Sequence, residues 1–544
     1  MLSISNLGRR QLLLGAALPL LACQPVSATA HISGGFTGIA QARGHMLRAS
    51  GNTWAAPVLT RSTGVLIAGA GVAGLAAARA LRQKGVEDFV LLELEDAAGG
   101  NSRGTVINGI ACPQGAHYLP LPGDEAWEVQ HLLEEFGLRS RQAGRWVYDE
   151  RHLCHSPQER LFFNGAWQEG LLPTQGVGNQ TLAQYRQFAV LVDQAQRAQR
   201  WTVPAAKSPV TQITQALSAI TFESYLNQHG LTDQHLRWYL NYCCTDDYGA
   251  GLASVSAWAG FHYFASRHGF VAPGMDSSPR EGLLTWPQGN AWLTQRLAAP
   301  LEGRLHTGQV VLRVASAKHG VVVDVFNLHT QAVERWQARR AILALPVLVA
   351  ARVVENPPQW LTQVAARTRY APWLVSNLHL SAALQDLAGA APSWDNVLYG
   401  STSLGLGYVD AQHQSLQAVP AATVLTHYRA LGDASTSPQA ARQRLQQRPW
   451  AEWRDLILAE LSLAHPDLLA KTTRIDITRY GHAMAVPIPD SSGKIGLQRI
   501  WNKGDTLQKA KYPVLRHENL TFAHSDWAGY SVFEEAFTLG HHAA

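Results

Sequence analysis

One stretch limits the possible folds more than any other. From Gly64 to Glu93 the chain reads GVLIAGAGVAGLAAARALRQKGVEDFVLLE. Val65–Ala68 is a short apolar run of the kind that forms a strand buried on both faces. Gly69-x-Gly71-x-x-Gly74 follows at once, and Leu75–Lys84 is rich in strong helix formers. Phe89–Leu92 predicts a second strand, and it ends on Glu93. Each part has a physical task in a dinucleotide-binding βαβ unit. Gly69 makes the tight turn, Gly71 lets the backbone approach a pyrophosphate, and Gly74 lets the helix pack closely on the strand. The helix N-terminus then faces the phosphate charge. Glu93 is placed to accept hydrogen bonds from the hydroxyls of an adenosine ribose.

Two further segments narrow the dinucleotide to FAD. Ala97–Gly104 (AAGGNSRG) resembles the Gly-Gly-Arg-Ser/Thr segment of the flavin amine oxidase and phytoene desaturase superfamily. Asn101 stands where that family's first arginine is usual, and Arg103 lies two places on. Leu520–Ala536 (LTFAHSDWAGYSVFEEA) resembles the family's closing motif, a strand end with an acidic residue followed by a helix. His524 and Glu535 replace its usual glycines. The resemblance implies FAD contacts from Gly69, Gly71, Ala73, Gly74, Glu93, Gly100, Asn101, Ser102 and Arg103. It implies others from Ala116, His117, Tyr118, Val311, Asp526 and Phe533, with Asp526 holding the ribityl or diphosphate region.

Further fragments match the superfamily in order. Gln114–Pro120 resembles the segment passing the flavin ring, and Leu284–Asn290 the Pro-x-Gly turn leading back to the FAD domain. Val310–Val314 resembles the strand whose backbone meets adenine, and Ala341–Pro346 the strand ending Ala-x-Pro beneath the cofactor. The implied fold is α/β: a discontinuous Rossmann-like FAD-binding domain from 62–120, 285–346 and 489–544, and an α+β substrate-binding domain from 121–284 and 347–488. Apolar spacing predicts largely helical stretches over Ala216–Leu240 and Ala440–Leu469, the second broken at Pro449.

The remaining features mainly exclude. A net charge of +5, from 45 Lys+Arg against 40 Asp+Glu and without charge runs, gives no footprint for nucleic acid. Cys23, Cys112, Cys154, Cys243 and Cys244 form no Cys-x-x-Cys pair and no Cys/His cluster at metal spacing, so no metal site is expected. The adjacent Cys243 and Cys244 read as two buried thiols rather than a strained vicinal disulfide. No cysteine follows Cys244, so the FAD is expected to be non-covalent unless a histidine tethers it. No G-x-S-x-G or HExxH motif supports a hydrolase.

The N-terminus reads as an address for export, 1–30. Arg9 and Arg10 precede an apolar run, Gln11–Ala22, too short to span a bilayer as a mature helix. The twin arginines resemble a Tat signal, which implies the Tat export machinery as a partner and a periplasmic location. Leu20-Leu21-Ala22-Cys23 resembles a lipoprotein cleavage box with Cys23 as lipid anchor; cleavage after Ala28 or Ala30 is the alternative. The following stretch, 31–61, reads as an arm across the main body.

In a flavin enzyme the ring accepts the hydride and the protein supplies orientation, so no acid–base pair need appear in the sequence. Amine oxidases commonly carry a lysine on the strand after the Ala-x-Pro segment; Ala371–Leu380 contains none. Pocket candidates are His482, Trp527 and Tyr530, the last two as an aromatic pair able to sandwich a cationic amine. The first reading is oxidation of a C–N bond in a small-molecule amine. A C–C desaturase acting on a polyene, or a flavin-bearing electron-transfer partner, are the alternatives. Acidic residues deep in the pocket would favour the amine, and a neutral apolar pocket the polyene. Changing Arg9 and Arg10 together to lysine keeps the charge and should leave the FAD-loaded protein in the cytoplasm. Normal export of that variant, followed by cell fractionation with flavin content, would remove the Tat reading.

Overall fold

The computed structural model describes residues 29–48, 54–275, 282–385, 387–400, 405–414, 419, 421–491 and 514–544. Arg9, Arg10 and Cys23 lie outside the described residues. Two eight-stranded sheets organise the rest.

The first sheet grows from the strand Leu59–Ala68, whose buried end is the apolar Leu66–Ala68. It pairs in parallel with Phe89–Leu92 on one side and Ala332–Leu343 on the other. Leu305–His306 and Leu520–Phe522 extend the parallel array at either side. An antiparallel pair, Gln309–Ala317 and Gly320–Asn327, and the strand Leu515–His517, antiparallel to Leu520–Phe522, complete it. Three remote stretches of chain thus build one sheet, and the helix Val72–Gln83 crosses between its first two strands. The strand starts at Leu59, three residues before the expected boundary, because it pairs with Glu334–Leu343.

The second sheet runs in the order Ser33–Thr37, Thr472–Ala485, Tyr370–Leu380, Thr423–Ala430, Gly405–Asp410, Asp395–Leu398, Glu159–Phe163 and Ala166–Glu169. Its strand Tyr370–Leu380 is buried throughout. Side chains alternate between faces along a strand, and here each face meets a different core. Trp373 and Val375 join the aromatic core of the helices Asn179–Ala198, Gln234–Tyr248 and Ala257–Ala265. Leu374, Leu378 and Leu380 pack with Trp453, Ile457 and Leu461 of the helix Trp450–Leu461. Pro449 ends one helical stretch and caps the next, which begins at Trp450.

The arm has a structural task. Ser33–Thr37 adds a parallel edge strand to Thr472–Ala485. Three residues later the backbone N–H of Ala40 donates to both carboxylate oxygens of Glu95 at 3.2 Å, while Arg43 donates to the Leu94 carbonyl at 3.1 Å and pairs with Asp96 at 2.8 Å. The arm therefore ties the edge of the second sheet to the loop after Phe89–Leu92. Cys112, Cys154, Cys243 and Cys244 are all free and buried.

A buried ion pair links the second sheet to its covering helix. Arg429, 1% exposed, donates through Nη2 to Glu460, and Gly405 leaves room for that carboxylate. Removing one partner strands a charge in the interior, at about 3–5 kcal/mol. Arg429→Met should cost that much in chemical denaturation followed by tryptophan fluorescence. The double variant Arg429→Met/Glu460→Met should recover most of the loss; an equal loss in both would show that the pair is not what matters there.

Candidate active site

The glycine turn opens a cavity of about 470 Å³ between the two sheets. Gly69 has φ +96, and a Cβ there would sit 2.4 Å from the Ala344 carbonyl oxygen. A Cβ on Gly74 would sit 1.8 Å from the Gly69 carbonyl oxygen, so the helix lies directly on the turn. Gly71 is different: its Cβ would meet nothing nearer than the Gly100 Cα at 3.8 Å, and the space it leaves belongs to the cavity. No side chain caps the N-terminus of Val72–Gln83, and Val72 and Ala73 line the cavity. Unpaired backbone N–H groups and the positive end of the helix dipole therefore face it. This cradle fits a dinucleotide pyrophosphate.

Glu93 lines the same cavity. Its oxygens accept from the backbone N–H groups of Ala70 at 2.7 Å and Glu95 at 2.9 Å. Burial pushes its carboxyl up, against the pull of those two donors. Each oxygen keeps a second lone pair for a ribose hydroxyl. Gln309, Val310 and Val311 form the neighbouring wall, where a β-bulge after Val311 interrupts the ladder.

At the far end the wall becomes aromatic. Gly115–Tyr118 passes through the cavity and is pinned by tyrosines: Tyr428 donates to the Gly115 carbonyl at 3.0 Å and Tyr480 to the Gln114 carbonyl at 2.7 Å. His117 stacks on Tyr428 with ring centroids 4.3 Å apart, and burial lowers its pKa to about 3, so it is neutral. Trp373, Tyr428 and Tyr480 also line this end.

His117, Tyr118, Tyr428, Asp246 and Arg267 are shared with a second cavity of about 460 Å³. That cavity holds buried acid. Burial, then the neighbouring Asp247, raises the Asp246 carboxyl to about 7, while Arg267 and the Tyr118 hydroxyl, 3.4 Å away, pull it back. Asp395 is pushed well above its usual range by burial and then by Asp246 and Glu159, which line the same space. Tyr242, Tyr263, Phe264, Phe270 and Trp394 complete the walls.

Most of the residues singled out from the sequence converge. Gly69, Gly71, Ala73, Glu93, Gly100, Asn101, Ser102, Ala116, His117, Tyr118, Val311, Phe533 and His482 all line the first cavity. Gly74 supports it from behind. Four residues stand elsewhere. Arg103 does not line the cavity: it turns to the arm, donating to the Gly38 carbonyl at 3.1 Å and lying 3.7 Å from Glu95, and its charge reaches the cavity only through its pull on Glu93 and Tyr480. Asp526 does not line the cavity: its Oδ2 accepts from the backbone N–H of Val347 at 3.0 Å and the Tyr370 hydroxyl at 2.6 Å. Burial opposes its ionisation, but His524 and these donors outweigh that and hold its pKa below the usual range. Trp527 packs on Trp360 and Phe522, and Tyr530 donates to Glu535 at 2.6 Å. The expected Trp527/Tyr530 sandwich is thus absent, and Trp373 with Tyr428 occupies the wall instead. The acids of the second cavity escaped the sequence reading, although Asp246-Asp247, directly after the apolar and neutral run Trp238–Thr245 of the same helix, was a visible signal. Among the described residues no His/Cys/Asp/Glu group is arranged to hold a metal, and no helix is long and apolar enough to cross a membrane.

Solved structures share this architecture. Putrescine oxidase, solved bound to putrescine, is 17% identical with a TM-score of 0.63, over 89% of this chain and 98% of that one. Cyclohexylamine oxidase from Brevibacterium oxydans IH-35A is 18% identical with a TM-score of 0.62 over the same shares. A fatty acid isomerase from P. acnes, described as CLA-producing, is 14% identical with a TM-score of 0.56, over 88% of this chain and 97% of that one. At such identities the likeness shows the fold. No curated protein matches the sequence. Residues 72–544 match the family of flavin containing amine oxidoreductases, so the chain belongs to that family and is an FAD-dependent oxidoreductase of the amine oxidase type.

Proposed function

We propose that the protein oxidises the C–N bond of an amine held in the second cavity. The observation that carries this reading is the acid lining that cavity, Asp246 with Asp395 and Glu159, joined through shared walls to the cavity that fits FAD. Buried carboxylates attract a cation strongly because few water dipoles compete there. A polyene would gain nothing from them. The aromatic rings around the acids add faces that favour a cationic or apolar guest and exclude water.

The cradle from Gly69 to Gly74 would hold the FAD pyrophosphate, Glu93 the adenosine ribose, and Gln309–Val311 the adenine. Gly115–Tyr118, Trp373 and Tyr428 stand where the flavin ring would lie. No cysteine lines this cavity, which supports non-covalent binding. FAD supplies the hydride acceptor. The chain supplies the rest: the Asp246 carboxylate draws in the substrate ammonium and takes a proton from its nitrogen. Neutral His117, stacked on Tyr428, fills space without adding a competing charge. The twin arginines and the Cys23 box support the further reading that the holoprotein acts after export, free or lipid-anchored.

Anaerobic mixing with amines, polyamines and polyenes is the direct test. Amines should bleach the flavin; bleaching by polyenes alone would transfer the protein to C–C chemistry.

Two variants test the parts. Gly71→Val should fold normally yet retain less than about a tenth of the flavin, since its side chain enters only cavity space. Gly74→Val should lose the fold as well, because the new carbon meets the Gly69 carbonyl; normal flavin content in the Gly71 variant would displace the cofactor site.

Asp246 makes the pH prediction. With its pKa raised to about 7, the carboxylate is present above that pH, so amine affinity should tighten as pH rises through it. The gain should persist until the ammonium itself deprotonates near about 10. Asp246→Asn should abolish the limb near neutrality and weaken binding about a hundredfold at pH 8. An unchanged limb in that variant would assign the titration to another group.

A further inference from the structure

Glu534 stands at a partition that the reading above leaves unused. It lies in the first turn of the helix Phe533–Ala543, is 5% exposed, and lines the FAD cavity. It also lines a third, small cavity of about 70 Å³, which opens beside the exposed Gly123 and Asp124 and is walled by Trp201, Thr202, Val203 and Ser266. Two charged residues line both spaces, Glu534 and Arg267. Arg267 is committed: it pairs with Asp247 at 2.9 and 3.3 Å and lies over the Tyr263 ring. A guanidinium also does not give up its proton near neutrality. The next residue, Glu535, is committed too, accepting through Oε1 from the Tyr530 hydroxyl at 2.6 Å and the Ala205 backbone N–H at 2.5 Å. Glu534, by contrast, accepts from its own backbone N–H, with the Arg267 charge drawing its carboxyl down and Asp247 and Glu535 pushing it up. It is the group on the partition free to change its protonation state.

Oxidation of an amine gives such a group a task in the half-reaction that reduces the flavin. The substrate arrives as an ammonium. Its N–H bond breaks and leaves one proton with Asp246; its Cα–H bond breaks and sends a hydride, with both electrons, to FAD; and a C=N bond forms. In this reductive half-reaction one proton is therefore released into a cavity whose other arm is filled by the substrate itself, and it is taken up again only when the reduced flavin is reoxidised. We propose that Glu534 carries this proton from the FAD cavity to solvent through the small cavity beside Gly123 and Trp201, with water as the carrier on either side. The proposal rests on the amine reading for the source of the proton. Burial raises the Glu534 carboxyl to about 7, the range in which a carboxyl both accepts and releases a proton at neutral pH.

Two measurements test it. In the first, holoprotein is mixed anaerobically with an amine that bleaches the wild-type flavin, with phenol red in weak buffer. In the wild type, dye response and bleaching should share one time course. In Glu534→Gln the dye should lag bleaching by at least about tenfold, with Glu534→Asp restoring part of the coincidence. In Ser266→Leu, which fills the small cavity and leaves Glu534 intact, the same lag should appear. Coincident courses in either folded, flavin-loaded variant would overturn the proposal.

The second measurement needs no substrate. Resting holoprotein transferred to D₂O should show a buried protonated-carboxyl infrared band that is missing in Glu534→Gln. That band should exchange at least about tenfold more slowly in Ser266→Leu than in the wild type. Equal exchange rates would overturn the exit route. Failure of every amine to bleach the wild type would instead remove the amine reading, and the infrared result would still decide whether Glu534 communicates with solvent.

Discussion

The contact between Gly74 and the carbonyl of Gly69 sets the position of everything at the FAD end. With a Cβ position only 1.8 Å from that oxygen, glycine alone lets the helix Val72–Gln83 sit on the turn, and that seating aims its unpaired N–H groups into the cavity. Ala73 in turn lies close to Gly540 of the C-terminal helix, whose own Cβ position is 2.0 Å from the Ala73 carbonyl. Two glycines more than 400 residues apart thus clamp one helix between the turn and the last helix of the chain. The parallel strands follow from the same seating, since Ala344 and Leu343 must lie beside Gly69 and Ala68 to complete it.

This end was legible in the sequence because its constraints are local and steric. A turn that needs three glycines at fixed offsets, a strand before and an acid after leaves a readable trace in thirty residues. The substrate end left much less. Trp373, Tyr428, Asp246 and Asp395 come from three strands and a helix scattered over the chain, and only the tertiary fold brings them to two adjoining cavities. Trp527 and Tyr530 show the converse. Their nearness in sequence to the closing motif suggested the flavin, but the turn at Gly529, with φ +90, and the 3₁₀ turn before it direct them to other partners. Asp526 makes the same point: an acid at the expected place is held by the neighbouring Val347 N–H and Tyr370 hydroxyl.

The two cavities differ in how they treat charge. Around the Gly69–Gly74 turn, backbone N–H groups and a helix dipole face the space, as suits an anion held by many partial charges. At the substrate end, full carboxylates sit among aromatic rings and are made reluctant to ionise by burial. A cationic guest would relieve that cost on arrival. The lysine usual in related amine oxidases would work against it, and Ala371–Leu380 supplies Trp373 and Val375 to the wall instead.

The arm strand has a temporal consequence. Ser33–Thr37 finds its ladder partner at Arg474–Thr478, so the first strand of the chain to be made waits on one of the last. Its loop closure spans almost the entire polypeptide, and it contributes nothing until that span has been synthesised and arranged. Chains truncated before residue 472 lack the edge that receives it. The strand Ser33–Thr37 is therefore left without its ladder in any chain that stops short of residue 472, while Ala40 and Arg43 can already hold Glu95, Leu94 and Asp96.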